Sequence, residues 1–261
     1  MNAAIVSNLP PPPLPQAQQP WALLCDIDGT LLDFAPRPYL VQVDAPLLHC
    51  LHTLQQGLNG ALALISGRSA ADMAALFAPL ALECIGLHGL EQRHADGRLQ
   101  HWHVSDEATL QRLHTVAEGI AAALPGVYLE AKGPTMALHC REAPQHAQAL
   151  HAACTSALAQ LPGYALLEGY DICELRPQDS DKGEALRRLL REPAFAGRLP
   201  IFIGDDYTDA PALAAAREAG GMAIAAGARV AAQATHQLDG PAAVRAWLDA
   251  WAQKLAQRAR P

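Results

Sequence analysis

The sequence predicts an α/β protein: a Rossmann-like parallel sheet wrapped by helices and interrupted by an inserted α+β domain. Two observations carry that expectation. Short, nearly unbroken apolar runs alternate with Ala/Leu-rich helical stretches, the texture of strands buried on both faces and joined by crossover helices. Between residues 92 and 174 the texture changes to strand-like segments around turn dipeptides, with two long helical segments among them.

Taken in order, residues 1–20 contain Pro10 to Pro13, Pro15 and Pro20 among several Gln. That composition favours an extended segment with no core of its own, so 1–20 reads as a disordered Pro-rich arm. The core then opens with Trp21–Asp28 (WALLCDID), followed by Ala61–Gly67 (ALALISG) and Leu82–Gly89 (LECIGLHG). Beyond the insert come Ile201–Asp206 (IFIGDD) and Gly221–Gly227 (GMAIAAG). Each run ends in Gly, Ser, Asp or His where a loop should begin, and open α/β sheets keep their ligands at that edge. The core is thus assigned to 21–91 and 175–261. The insert, 92–174, shows a hairpin signal at Asp96-Gly97, a helix from Asp106 to Leu124, a second hairpin at Gly133-Pro134, a helix from Gln145 to Leu161, and strands ending in YDICELRP. It is too long for an ordinary loop and has the size of a small lid over an active-site mouth.

Composition narrows the function. With Lys+Arg 19 against Asp+Glu 26 the net charge is −7, which argues against a general affinity for nucleic acid or anionic lipid. The Arg187, Arg188, Arg191 and Arg198 group reads as a solvated helix face. No segment has the apolar length of a transmembrane helix, and the start lacks a basic-then-apolar leader, so a soluble cytoplasmic protein is expected. The 6 Cys residues form no CxxC pair and read as reduced, buried thiols.

No GxxxxGK[ST], GxGxxG, GxSxG or HExxH is present, which removes the usual support for nucleotide, serine-hydrolase and zinc-protease readings. His101 and His103, alternate residues without an acidic or Cys companion, make a poor metal site. Carboxylates remain. Asp26 and Asp28 close the first run as Asp-Ile-Asp-Gly-Thr, with side chains two apart at a strand end. Asp205, Asp206 and Asp209 follow IFIG, and the two acidic groups meet if these strands are neighbours. Like charges about 4 Å apart repel by roughly 4 kcal/mol at an effective dielectric of 20, so a divalent cation is the natural remedy. An all-oxygen set suits Mg²⁺ rather than zinc. The Ser66 hydroxyl and the Gly67 amide can donate to an oxyanion at a strand-to-helix turn. Lys182, just before a helix, can offset the negative charge.

In this order, DIDGT, the Ser of SGR, Lys182 and GDDYTD, the chain resembles the haloacid dehalogenase-type phosphohydrolase superfamily. More narrowly it is similar to the bacterial trehalose-6-phosphate phosphatases, through LISGRS, GLHGLEQR, LEAKGPTMALHCREAPQH, ELRPQDSDKGEA and FIGDDYTDAP. The resemblance implies a C2-type cap in the insert and a Mg²⁺-dependent phosphatase acting on a small molecule, trehalose 6-phosphate. It makes Asp26 the nucleophile and Asp28 the acid and then the base, with Ser66 and Lys182 in the catalytic set. The Asp26 carboxylate, the Asp28 backbone carbonyl and the Asp205 carboxylate become the metal ligands, with Asp206 and Asp209 nearby. Glu130, Lys132 and Glu174 of the cap become partners of the sugar hydroxyls, with Gly67, Arg68 and His88 on the core side. The chain departs from the family pattern after Asp209, where Ala210 and Pro211 stand in place of a further acid. Two competing expectations are a phosphatase or phosphomutase for another sugar phosphate and a catalytically silent regulator.

Overall fold

The computed structural model describes residues 9–16, 18–34, 41–103, 105–169, 171–179 and 181–258. Its chain divides into two units, residues 1–100 with 181–261, and residues 101–180. The first holds a sheet of order β12-β11-β10-β1-β2-β3-β4-β5. Its strands are β1 (Trp21–Cys25), β2 (Leu62–Ile65), β3 (Glu83–Gly86), β4 (Glu91–Arg93), β5 (Leu99–His101), β10 (Leu199–Gly204), β11 (Met222–Ala226) and β12 (His236–Leu238). From β12 to β3 neighbours run parallel, and β4 returns antiparallel to β3.

Helices α1 (Ala45–Gly57) and α2 (Ala70–Leu76) link β1, β2 and β3, while α5 (Lys182–Leu189) leads into β10 and α6 (Ala210–Glu218) joins β10 to β11. The C-terminal helix α7 (Pro241–Arg258) packs on α1, and α5 packs on α6. The chain leaves β1 towards β2 and leaves β10 towards β11, in opposite directions across the sheet. Right-handed crossovers therefore put α1 and α6 on opposite faces, and Leu23, Leu24, Ile65, Phe202 and Ile203 between them are fully buried. The same reversal opens a crevice at the carboxyl ends of β1 and β10.

The second unit has its own core. An antiparallel sheet of order β6-β7-β9-β8 is built from β6 (Tyr128–Lys132), β7 (Thr135–His139), β9 (Ile172–Pro177) and β8 (Tyr164–Gly169). Helices α3 (Glu107–Ala123) and α4 (Ala147–Ala157) pack on it, enclosing Leu113, Met136, Leu138, Leu150, Cys154 and Leu175. Asp106 starts α3 by accepting the Thr109 N–H at 2.8 Å.

Two expectations change. The hairpin at Asp96-Gly97 joins β4 to β5 and extends the large sheet, so the second unit runs over 101–180 rather than 92–174. Sequence texture follows strand type, and an antiparallel hairpin added to a parallel sheet looks like the start of a new domain. The Pro-rich arm is not a disordered leader over Leu9–Gln16. Leu9 and Leu14 pack against the core, and the Pro10, Pro12 and Pro15 carbonyls accept from Gln237 N–H (3.2 Å), Trp247 Nε1 (3.0 Å) and Lys254 Nζ (3.3 Å). A proline segment offers carbonyls with no internal partner, and here β12 and α7 supply the donors. The remaining part of that assignment, residues 1–8, lies outside the described residues.

Candidate active site

Asp26 is the first residue past β1, and Asp205 the first past β10. Parallel pairing of Cys25 with Ile203 brings the two strand ends side by side. Thr30, one residue beyond the Asp-Ile-Asp-Gly turn, donates its hydroxyl to Asp205 Oδ1 at 3.1 Å. Gly29 stands at φ 85°, and a Cβ there would collide with the Asp205 carboxylate, so the tight turn and the acid share one space.

Lys182, the first residue of α5, reaches under this pair. Its Nζ donates to Asp26 Oδ1 at 2.7 Å and to Asp209 Oδ1 at 2.6 Å. The other oxygen of Asp209 accepts the Asp205 and Asp206 N–H groups at 3.0 and 3.1 Å. Asp209 is thus the buried anchor of the network, tying the lysine to the β10 loop; its signal in the sequence was its place in GDDYTD. Asp206 is turned to Arg229 at 3.0 Å.

The electrostatics follow from burial. Asp26 is pushed well above the usual carboxylate range by desolvation, which Lys182 opposes and Asp209 and Asp205 reinforce. Asp205 is raised to about 7, first by burial and then by Asp209. Burial works against the Lys182 ammonium, but Asp209 and Asp26 outweigh it and raise its pKa. Among the described residues one lysine faces three acids, a deficit of positive charge that a divalent ion would fill. Oxygens of Asp26, Asp205 and Asp209 lie within 4.8 Å of one another. The donor chemistry fits a hard divalent cation, with Asp26 and Asp205 more available than Asp209, whose two oxygens are already engaged.

Asp28 takes a separate place. Both its oxygens are gripped by Arg68, Nε to Oδ2 and Nη2 to Oδ1, each at 2.6 Å. Ser66 is buried past the end of β2, and its hydroxyl accepts the Arg68 N–H at 3.3 Å. The following strand, β3, ends in a turn where Leu87 (φ 51°) and His88 (φ 56°) occupy the left-handed region, a cost of about 1–3 kcal/mol each for residues with side chains. Hydrogen bonds hold that turn against the Ser66 loop, Leu87 N–H to the Arg68 carbonyl and His88 N–H to the Ser66 carbonyl, both 3.0 Å. A Cβ on Gly67 would lie 2.5 Å from His88 Nε2, so this glycine admits the imidazole. Glu91, which the sequence reading did not single out, accepts the Ala70 N–H at 2.6 Å and fastens the same two loops.

In the second unit, Glu130, Ala137 and Glu174 stand in register across β6, β7 and β9, so the two acids share one sheet face with Lys132. Glu130 Oε2 meets Lys132 Nζ at 3.2 Å and His139 Nε2 at 2.9 Å. Burial opposes the Glu130 charge, but these two partners win and lower its pKa. His139 is a second residue that sequence reasoning passed over. A further group, Glu83, His94 and Glu192, sits at the amino end of β3. Gln92 Nε2 bridges its two carboxylates at 2.8 and 2.6 Å.

A parallel sheet carrying acids at the carboxyl ends of two neighbouring strands, a buried lysine between them, a serine after the next strand and an inserted α+β unit defines a phosphoric monoester hydrolase of the haloacid dehalogenase type. The comparisons are specific. The trehalose-phosphatase family model matches residues 24–240, and the chain belongs to that family. The trehalose-6-phosphate phosphatase of Escherichia coli K12 is 38% identical over 247 residues, covering 94% of this chain and 91% of that protein. Among solved structures, the C-terminal domain of a Candida albicans trehalose-6-phosphate phosphatase superposes with TM-score 0.83 at 20% identity, covering 95% of this chain and 99% of that one. A haloacid dehalogenase-like hydrolase of Bacteroides thetaiotaomicron gives TM-score 0.65 at 18% identity, covering 91% and 98%. Those two likenesses are of fold.

Proposed function

We propose that this hydrolase converts trehalose 6-phosphate to trehalose and phosphate through an aspartyl phosphate on Asp26. The observation that carries the reading is the buried contact of Asp26 Oδ1 with Lys182 Nζ beside Asp205, in a chain 38% identical to a protein named for that activity. Lys182 holds one oxygen of Asp26 and leaves the other to attack phosphorus, forming an O–P bond as the bond to the sugar oxygen breaks. Asp28 gives its proton to the departing sugar oxygen, then takes one from the water that attacks the aspartyl phosphate and frees Asp26. The Ser66 hydroxyl and the Gly67 N–H donate to phosphoryl oxygens, and the lysine stays protonated throughout. The oxygen set of Asp26, Asp205 and the Asp28 carbonyl suits Mg²⁺, which when bound would withdraw charge from the phosphoryl group. In the cap, Glu130, Lys132 and Glu174 bind sugar hydroxyls, and a wrong sugar would leave them unpaired. The resemblance also assigns Arg68 and His88 to the substrate. Free, buried cysteines support a reducing compartment, in keeping with a cytoplasmic enzyme.

The test is phosphate release from trehalose 6-phosphate with Mg²⁺ and with chelator, beside glucose 6-phosphate and sucrose 6-phosphate. Release from the trehalose ester only with Mg²⁺ is expected. Faster cleavage of either other ester would give the enzyme a different substrate, and no release from any would return it to a binding role.

A further inference from the structure

We infer that Arg68 is the positioning residue of Asp28, holding the carboxylate that handles the proton, rather than simply a contact of the substrate. The inference rests on the reading of Asp28 as proton donor and acceptor. Two N–H groups of one guanidinium meet both carboxylate oxygens at 2.6 Å, across 40 residues of sequence. A two-point fork fixes the plane of a carboxylate as well as its place, which one contact does not.

Arg68 is itself fixed. Its N–H lies on Ser66 Oγ at 3.3 Å, its carbonyl accepts the Leu87 N–H at 3.0 Å, and Glu91 holds Ala70 just beyond at 2.6 Å. Leu87 and His88 keep left-handed backbones, which persist where surroundings over-determine them. Constraint therefore runs from the strained turn through Arg68 to Asp28. In this arrangement the fork occupies both oxygens, so Asp28 is parked. During turnover one N–H···O contact is retained and the other oxygen is released towards the ester oxygen. A group that acts this way governs the chemical step, whereas a plain substrate contact governs binding.

The experiment compares the full chain with Arg68→Ala, Arg68→Lys, Asp28→Asn and the Arg68→Ala/Asp28→Asn double variant on two monoesters. Trehalose 6-phosphate must have its leaving oxygen protonated; p-nitrophenyl phosphate releases a stable phenolate without it. Arg68→Ala is expected to lower kcat on the sugar ester by about 10²-fold with little change in KM. The first-turnover burst of nitrophenolate should stay within about threefold of the wild type. Arg68→Lys keeps the charge but not the fork and should recover only part of the loss. Adding Arg68→Ala to Asp28→Asn should cost less than about threefold more, because both act through one group. A rise in KM with kcat intact, a burst that falls as far as sugar-ester turnover, or losses that multiply would overturn the inference. Thermal melting monitors the fold, and if Arg68→Ala does not fold, Arg68→Lys decides by the same comparison. Wild-type inactivity on trehalose 6-phosphate would instead sink the functional reading, and the inference would then be decided on whichever sugar ester the wild type cleaves.

Discussion

Lys182 Nζ donates to Asp209 Oδ1 at 2.6 Å, and neither side chain is more than 2% exposed. The lysine joins two chain segments that the acidic network alone would push apart. Replacing Lys182 by Met keeps the volume and leaves Asp26, Asp205 and Asp209 without their cation. A broken buried pair of this kind costs about 3–5 kcal/mol. Urea unfolding of the metal-free protein should show that loss, and Lys182→Met/Asp209→Asn should recover part of it by removing the stranded charge. A Lys182→Met variant as stable as the wild type would mean that the network is solvated.

Asp26→Asn tests the nucleophile. The amide cannot form the acyl phosphate, so turnover should fall by about 10³-fold or more. Removing one of several crowded buried acids should leave melting temperature unchanged or raised. Substantial activity in a folded Asp26→Asn protein would reassign the attacking group.

The acids also set a pH dependence. Asp205 is raised from its ordinary value of 3.8 to about 7 by burial and by Asp209. A carboxyl whose folded pKa lies above its unfolded one binds its proton more tightly in the folded state. Its contribution to stability is full below about pH 4 and is lost as pH rises through about 7. In chelator, the urea midpoint of the wild type should therefore fall across that window, less steeply in Asp205→Asn. With a divalent cation the dependence should flatten or reverse, because the ion favours the charged form. A flat profile in chelator would show that Asp205 is already ionised at low pH.

Much of this architecture was legible because buried strands advertise themselves. WALLC, LALI, ECIG, the IFIG of β10 and MAIAA are runs that only a two-sided cover can explain. The three-residue strand β12 carries too short a pattern to read, and β4 and β5 were signalled only by the turn at Asp96-Gly97, every residue of β5 being exposed. Residue types of the candidate site are those of DIDGT, SGR and GDDYTD, but their pairings could not be read there. Nothing in spacing says that Asp28 faces Arg68 while Asp26 faces Lys182, because both choices are made by distant strand ends. The role of His139 beside Glu130 depends on β6–β7 register, which Gly133-Pro134 marks without fixing.

The arm was misread for a related reason: its partners lie more than two hundred residues away. Trp247 Nε1 donates to the Pro12 carbonyl at 3.0 Å, and Lys254 Nζ to that of Pro15 at 3.3 Å. Trp247→Phe keeps most of the ring packing and removes one donor, a change of about 1 kcal/mol. In a chain of this size that lowers the melting temperature by about 2–4 °C. Deleting residues 1–16 removes all three carbonyl contacts and the packing of Leu9 and Leu14 against the core, so its melting temperature should fall further than that of Trp247→Phe. Catalysis should hardly change, since Leu9–Gln16 follows α7 and the β12 edge and none of its hydrogen bonds involves Asp26, Asp205 or Lys182. Equal melting temperatures for the deleted and intact chains would show that the segment adds nothing to the fold and restore the disordered-leader reading.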